Sequence, residues 1–513
     1  MQASKRAKVA TIPAPHNSEK TQQQSPNDYE SRRKENIQRN LEFLRSMGVS
    51  TAKTAARTAA ANIRNTMKDR ALESRQKKKL SEKKSSPTRF SMRLRGENPS
   101  SLALAEVANT ADSFDRSEEK IERLAPDFAA EALNLNGGAN SRLLKRLCSG
   151  WDSIQTTRDE YQLPSNSTGH KIVNYRLDPA TIVKVTDDRV YSLVFHPRED
   201  KLLIACGSKS GQLALWTPTI TDDKDIDPVA TYRPHITPVS RLLFDPDHPA
   251  TLLSSGFDGS FRRFDLSAAM FHQILALPDD EGITDFIYDS TRRRYILSSH
   301  EGKLWLMDER ERPETASPFL VHEKKVNTVH QHPISTDCVI TASLDRSVQV
   351  WDLRKLARSK RVSTKLLEPV VTMPHARSVN CAYFSPSGSH CVTVCQNNFN
   401  YIYETSASKW NKIADKSPAP LLTIPHNNQT GRWITKLHPS WNPKYTTPKE
   451  EQYIIGCMLQ PRRLQIFSAV QSAQIQELTS DYFKSIHSIN VFHPTLDVIA
   501  SGNSSGRLCL WNA

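Results

Sequence analysis

From residue 190 to the end of the chain, short apolar runs alternate with polar turns, and the runs return in a fixed order. VYSLVFHPREDKLLIACGSKSGQLALW (190–216) and INVFHPTLDVIASGNSSGRLCLW (489–511) share one plan. Each has an apolar run ending in Phe-His-Pro, a turn, a second apolar run, a Gly/Ser turn, and a third run ending in Trp. VSRLLFDPDHPATLLSSGFDGSFRRFD (239–265), VNTVHQHPISTDCVITASLDRSVQVWD (326–352) and VNCAYFSPSGSHCVTVCQNNFNYIYE (379–404) follow it. ITDFIYDSTRRRYILSSHEGKLWLMD (283–308) follows it without the proline. WITKLHPSWNPKYTTPKEEQYIIGCMLQPRRLQIF (433–467) follows it with a longer turn. The alternation within each run has the period of a strand and puts apolar residues between neighbouring sheets, where they stack. The landmarks Pro197, Pro246, Asp289, Pro333, Pro386, Pro443 and Pro494 stand 43 to 57 residues apart.

A unit of this length with a closing Trp or Trp-Asp is the mark of a four-stranded WD40 blade. Seven units predict an all-β, seven-bladed WD40 β-propeller over residues 170–513. A closed ring of that size accounts for most of a 513-residue chain. The last unit ends at Trp511, just after its third strand. ATIVKVT (180–186), upstream of the first unit, is placed to supply the missing fourth strand and remove an open sheet edge. His322, Ser343 and Asp345 near Trp351 have the residue types of a hydrolase triad. In a blade of this kind they are expected to form a structural hydrogen-bond network instead, so no enzyme activity is expected.

Charge separates the chain into two parts. Residues 1–95 hold 23 Lys/Arg against 8 Asp/Glu, whereas the remaining residues hold 46 against 47. A basic, partly helical or disordered N-terminal extension (1–113) therefore precedes a nearly neutral body. Such asymmetry points to an anionic partner, nucleic acid or a membrane surface. NDYESRRKENIQRNLEFLRSMG (27–48) reads as a short amphipathic helix over about 28–47, with a capping-box spacing at Asn27 and Glu30 and a stop at Gly48. QKKKLSEKKSSPTRFSMRLRG and SKRAKV are basic clusters suited to nuclear import and to phosphate contact. Ser86-Pro87 followed by Arg89 resembles a proline-directed phosphorylation site. Residues 114–169 are expected to be a helical or linker segment. No run of about 18 apolar residues predicts a membrane span, and the first ten residues lack a signal-peptide core. Of eight cysteines, seven sit in or beside the strand-like runs and none forms a Cys-x-x-Cys pair. They are expected to be buried free thiols in a reducing compartment, with no metal and no cofactor.

Blade geometry assigns the loops to faces. Loops joining second to third strands, and loops entering each innermost strand, share one face of the disc. That face is expected to carry Lys209, Arg233, Lys324, Lys325, Arg346, Arg377, Arg432, Arg462, Arg463 and Lys484. Acids interrupt it mainly at Asp279, Asp280 and Glu281. HNNQTGRW (426–433) leads into blade six and brings Asn427, Asn428, Gln429, Arg432 and Trp433 together. Cations bind phosphates, amides and Arg read base edges, and Trp stacks. A solvated polar loop is the plainer reading of the same residues.

ENIQRNLEFLRSMGV, FSMRLRG, KVTDDRVYSLVFHP, HNNQTGRWIT and SGNSSGRLCLW together resemble a WD40 family related to the smaller subunit of the ultraviolet-damaged-DNA-binding complex. Within it, the chain is most similar to the Cmr1-type DNA-damage-binding proteins, over nearly its whole length. The resemblance implies a nuclear, chromatin-linked protein that binds single- and double-stranded DNA, favours ultraviolet-damaged DNA and acts in the damage response. In the better-understood relative, a hairpin matching 426–433 wedges an aromatic-Gln-His tip into the lesion. Here that tip reads Asn427-Asn428-Gln429-Thr430, and Trp433 is the nearest aromatic. Trp351-Asp352-x-Arg354, on the opposite face, resembles the box by which WD40 substrate receptors dock on the cullin-4 ligase adaptor. The alternative function is therefore a chromatin scaffold or ubiquitin-ligase substrate receptor.

Overall fold

The computed structural model describes residues 124–133, 135, 139–148, 173–218, 227–278, 281–358, 366–406 and 417–513. The expected tail helix, the basic clusters and Ser86-Pro87 lie outside them.

The repeats fold into seven antiparallel sheets arranged as the blades of a propeller. In each, three consecutive strands of a repeat pair in order, and a fourth lies outside them. In blade one these are Val190–Phe195, Ile204–Ser208, Leu213–Trp216 and Val229–Tyr232. Inward residues of neighbouring blades interlock, which is why the strands are apolar on both faces. Between blades two and three, for example, Phe261 packs against Phe286 at 4.8 Å and Tyr295 at 5.0 Å.

The ring closes through residues upstream of blade one. Arg176–Leu177 pairs with Asn512 and Trp511, and Val183–Lys184 pairs with Leu508 and Arg507. Tyr175 and Val185 are buried at either end of this strap, and Trp511 beneath it is fully buried. The segment before the strap is anchored on blades one and two. Asp127–Ala129 adds a fifth strand to blade two. Arg262, itself buried, donates to the carbonyls of Leu124, Ala125 and Pro126 at 3.0–3.3 Å. The helix Ala139–Cys148 sets Leu143, Leu144 and Leu147 into the core between blades one and two. Arg198 satisfies its C-terminal end by donating to the Leu147 carbonyl at 3.1 Å.

Six innermost strands carry the same bulge one residue from their start. The residues skipped by the register are Tyr191, Ser240, Thr284, Asn327, Asn380 and Ser488. Blade six departs from the pattern. The apolar alternation of WITKLHPSW predicts a full innermost strand, but only Ser440–Trp441 pairs. The preceding residues are held by other blades: Thr435 Oγ1 donates to the Val190 carbonyl at 2.6 Å, and His438 N donates to the Ser488 carbonyl at 3.3 Å.

The blade-four residues form a structural network, as the repeat chemistry implies. His322 lies 2.7 Å from Asp345 and 2.7 Å from Thr341 Oγ1, which also accepts from Trp351 Nε1 at 3.0 Å. The Ser343 hydroxyl accepts from the Asp345 backbone N–H at 3.1 Å and donates to the Lys324 carbonyl. In blade two His235, Asp258, Ser260 and Ser254 repeat the arrangement. There the His235 ring and the Ser260 hydroxyl hold the Asp258 carboxyl below the usual carboxylate range, against the opposing effect of burial. The cysteines in the described residues are free thiols, and those in the blades are mostly buried.

Candidate nucleic-acid interface

The loop after the outer strand of blade five (Leu422–Pro425) is built around one inward side chain. Asn428 is 2% exposed. Its Nδ2 donates to the carbonyls of Cys395 and Phe399 at 2.9 and 3.3 Å and to Asn400 Oδ1 at 3.1 Å. Its Oδ1 then accepts from His426 Nδ1 at 2.7 Å. Burial pushes the pKa of that imidazole below its ordinary value, which favours the neutral ring. Asn428 is thus a clamp that ties the loop to blade five, and the expectation that it reads bases is corrected. Asn398, in a left-handed conformation at φ 69°, accepts from the Asn428 amide at 3.1 Å and completes the clamp.

Beyond the clamp the loop turns outward. Asn427 and Gln429 are exposed, and Gln429 Nε2 donates to the Gln396 carbonyl. Gly431 has φ 65° and open space where a Cβ would stand. Glycine therefore serves the turn rather than close packing. Arg432 and Trp433 follow, and Trp433 is 75% exposed. It lies outside the short innermost strand, under the Arg432 guanidinium at 5.1 Å.

If the clamp orders the loop, Asn428→Ala removes the two N–H donors shared by these three acceptors and costs about 2 kcal/mol locally. The expected result is trypsin cleavage after Arg432 at least roughly tenfold faster, with Asn427→Ala unchanged. Equal cleavage rates in both variants refute the clamp.

The other expected cations distribute unevenly. Lys209, Arg233, Lys324, Arg346, Arg377 and Lys484 are exposed, although Arg233 Nε is held by the Ser210 carbonyl at 3.0 Å. Arg462 and Arg463 are half-buried: the first folds back onto the Met458 carbonyl and the second reaches Glu477 at 3.4 Å. Lys325 is half-buried, with its ammonium over the Phe257 ring at 4.6 Å. Glu281 is not a surface acid. It is buried and accepts from Lys303 and from Trp305 Nε1 at 2.9 and 2.7 Å. Asp279 and Asp280 lie outside the described residues.

Residues 315–352 match the family profile of the WD domain, G-beta repeat. The chain is 32% identical to WD repeat-containing protein 76 of Rhinolophus ferrumequinum over 490 residues, covering 94% of the chain and 73% of the relative. The mouse protein of that name is also 32% identical, with the same coverage. DNA damage-binding protein cmr1 of Neurospora crassa is 28% identical, covering 94% of the chain and 98% of the relative. The chain belongs to this family of WD-repeat proteins. Its similarity to these relatives extends well beyond the residues that match the repeat profile.

On the opposite face, the box is mostly structural. Trp351 is buried, with its indole nitrogen bonded inside the blade. Asp352 holds Arg354 at 2.9 Å, and the same guanidinium lies 3.6 Å from Asp337. Arg354 is 65% exposed. Ile334, 73% exposed, stands in the same blade-four turn as Asp337.

Arg189, Tyr191, Phe257 and His300 come together beside the loop that leads into blade six, although none was expected there from the sequence: Arg189 donates to the Arg432 carbonyl and to the Tyr191 hydroxyl, and the Phe257 ring meets those of Tyr191 and His300. Tyr191 and Phe257 were hidden inside runs that read as strand and turn. The bulge at Tyr191 was the available signal, but it depends on strand register.

Proposed function

We propose that this protein is a nuclear DNA-binding propeller of the DNA damage response. On this reading it binds single- and double-stranded DNA, with a preference for ultraviolet-damaged duplex. The CMR1 relatives, named as DNA damage-binding proteins, support a damage-related role. The observation that carries the reading is the blade-six loop: Asn427, Gln429, Arg432 and Trp433 are held outward by a buried Asn428 on the face that carries Arg346, Arg377 and Lys484. Cations there hold phosphates, while the loop probes the bases. Inserting a side chain costs less at a damaged site, where stacking is already weakened, and that difference is selectivity.

The test separates the two roles. Gln429→Ala with Trp433→Ala should reduce the preference for irradiated over intact duplex by roughly tenfold. Arg377→Ala with Lys484→Ala should instead weaken both duplexes equally. Trp433 is solvent-exposed, so its loss leaves the fold intact. Equal competition by irradiated and intact duplex against the unmutated protein would rule out lesion selectivity.

A second reading, docking on a ubiquitin-ligase adaptor of the cullin-4 type or on a chromatin protein, is favoured by one observation. Arg354 and Ile334 present a cation and an apolar side chain on blade four, away from the basic loops. Arg354→Ala with Ile334→Glu should abolish adaptor capture without changing DNA affinity.

A further inference from the structure

The mouth of the central channel carries aromatic rings and cations contributed by five blades. At one end Arg432 lies over Trp433. The Arg432 carbonyl accepts from Arg189 at 2.7 Å, which joins the blade-six loop to the entrance of blade one. Arg189 also donates to the Tyr191 hydroxyl at 2.9 Å, with its guanidinium 5.1 Å from that ring's centre. Tyr191 meets Phe257 of blade two edge-on at 6.1 Å. Phe257 in turn lies 4.7 Å from the His300 ring of blade three and beneath Lys325 of blade four. Of the neighbouring acids, Asp187 accepts from Gln212 and Asp188 from Ser210, while Glu301 and Glu323 are exposed beside His300 and Lys325.

Tyr191 is placed by its bulge. At the equivalent positions the other five bulged strands carry Ser240, Thr284, Asn327, Asn380 and Ser488. One aromatic ring among small polar side chains at a channel mouth is not required by packing. The bulge re-aims it out of the blade, and it lines the channel of about 420 Å³.

We propose that this mouth is a binding track for unpaired DNA strand, in which bases stack on Trp433, Tyr191 and Phe257 and phosphates engage Arg432, Arg189 and Lys325. Stacking is indifferent to base identity but needs a base free of its partner, whereas a duplex shows only its edges and backbone. The cations now over the rings move to phosphate when bases take their place. The inference rests on the proposed DNA-binding function and adds a second contact zone to it. Duplex meets the outer loops, and a locally opened strand crosses the mouth.

The test uses the full chain and a fluorescent oligo(dT) of about 30 nucleotides, long enough to span such a site. Tyr191→Leu with Phe257→Leu keeps apolar bulk and removes both rings. The expected result is affinity for oligo(dT) lowered roughly tenfold per ring, with affinity for intact duplex unchanged. Photo-crosslinking of an oligomer carrying 5-iododeoxyuridine should map to Tyr191, Phe257 or Trp433. An equal fall for duplex and single strand overturns the track, as does an unchanged single-strand affinity. Crosslinks confined to other surfaces overturn it as well, and so does competition by polyglutamate as effective as by oligo(dT). Duplex binding by the unmutated protein with any of these results leaves the DNA-binding reading standing. Absence of binding to both forms removes that reading and the track together.

Discussion

A chain that begins at Asp187 is expected to melt well below one that begins at Val173. The two differ by the strap that supplies the outer strand of blade seven. Its removal uncovers Leu508, Leu510 and Trp511, and discards the buried Tyr175 and Val185 together with Leu177, Ile182 and Val183 from the same cores. At roughly 1.5–3 kcal/mol for each fully buried side chain and less for the others, the loss is on the order of 5–10 kcal/mol. Whole domains are stable by only about 5–15 kcal/mol. It also opens an edge on the strand Arg507–Asn512, which invites pairing with another molecule. Thermal melting by circular dichroism, with light scattering, reads both effects. The Val173 chain is the necessary control, because it lacks the added strand and helix on blades one and two but retains the ring. A chain from Asp187 that melts with the Val173 chain, without aggregating, refutes closure by the strap.

The ring and its closure were legible because each depends on patterns local to one repeat. Alternation marks the strands, Phe-His-Pro and Trp mark their ends, and a unit that stops at its third strand implies a donor elsewhere. Positions decided by distant partners were not legible. WITKLHPSW alternates as well as any innermost strand, yet Thr435 bonds across to blade one and the paired strand shrinks to two residues. Nothing in HNNQTGRW tells which asparagine turns inward, because the acceptors for Asn428 lie about 30 residues earlier, on Cys395, Phe399 and Asn400. Glu281 reads as one of three surface acids until Lys303 and Trp305, from the third strand of the same blade, are seen to bury it. The exposed cations are a different case. Loop membership follows from repeat register alone, which sufficed to place Arg346, Arg377 and Lys484 on the surface.

Removing residues 1–95 should change how DNA binding depends on salt more than any substitution in the propeller. These residues hold 23 cations and 8 acids, while the rest of the chain is close to neutral. Each phosphate neutralised releases counterions and contributes about −0.9 to the slope of log affinity against log salt. If about six tail cations engage phosphates, the truncated chain loses about five units of slope. Between ~50 and ~200 mM salt the full chain's advantage over the truncated one then shrinks on the order of a thousandfold. On the proposed function, the propeller's own contacts carry a smaller slope, and stacking by Trp433 and base reading by Gln429 carry almost none. Curves for the full and truncated chains should therefore converge as salt rises, and the ratio of irradiated to intact duplex should be the same in both. Fluorescence anisotropy across a salt series measures each quantity. An unchanged slope in the truncated chain would show that the tail's charge serves another partner. A lost preference with an unchanged slope would transfer lesion recognition from the blade-six loop to the tail. Only a flattened slope with intact preference fits a division in which the tail supplies attraction without regard to sequence and the propeller face discriminates.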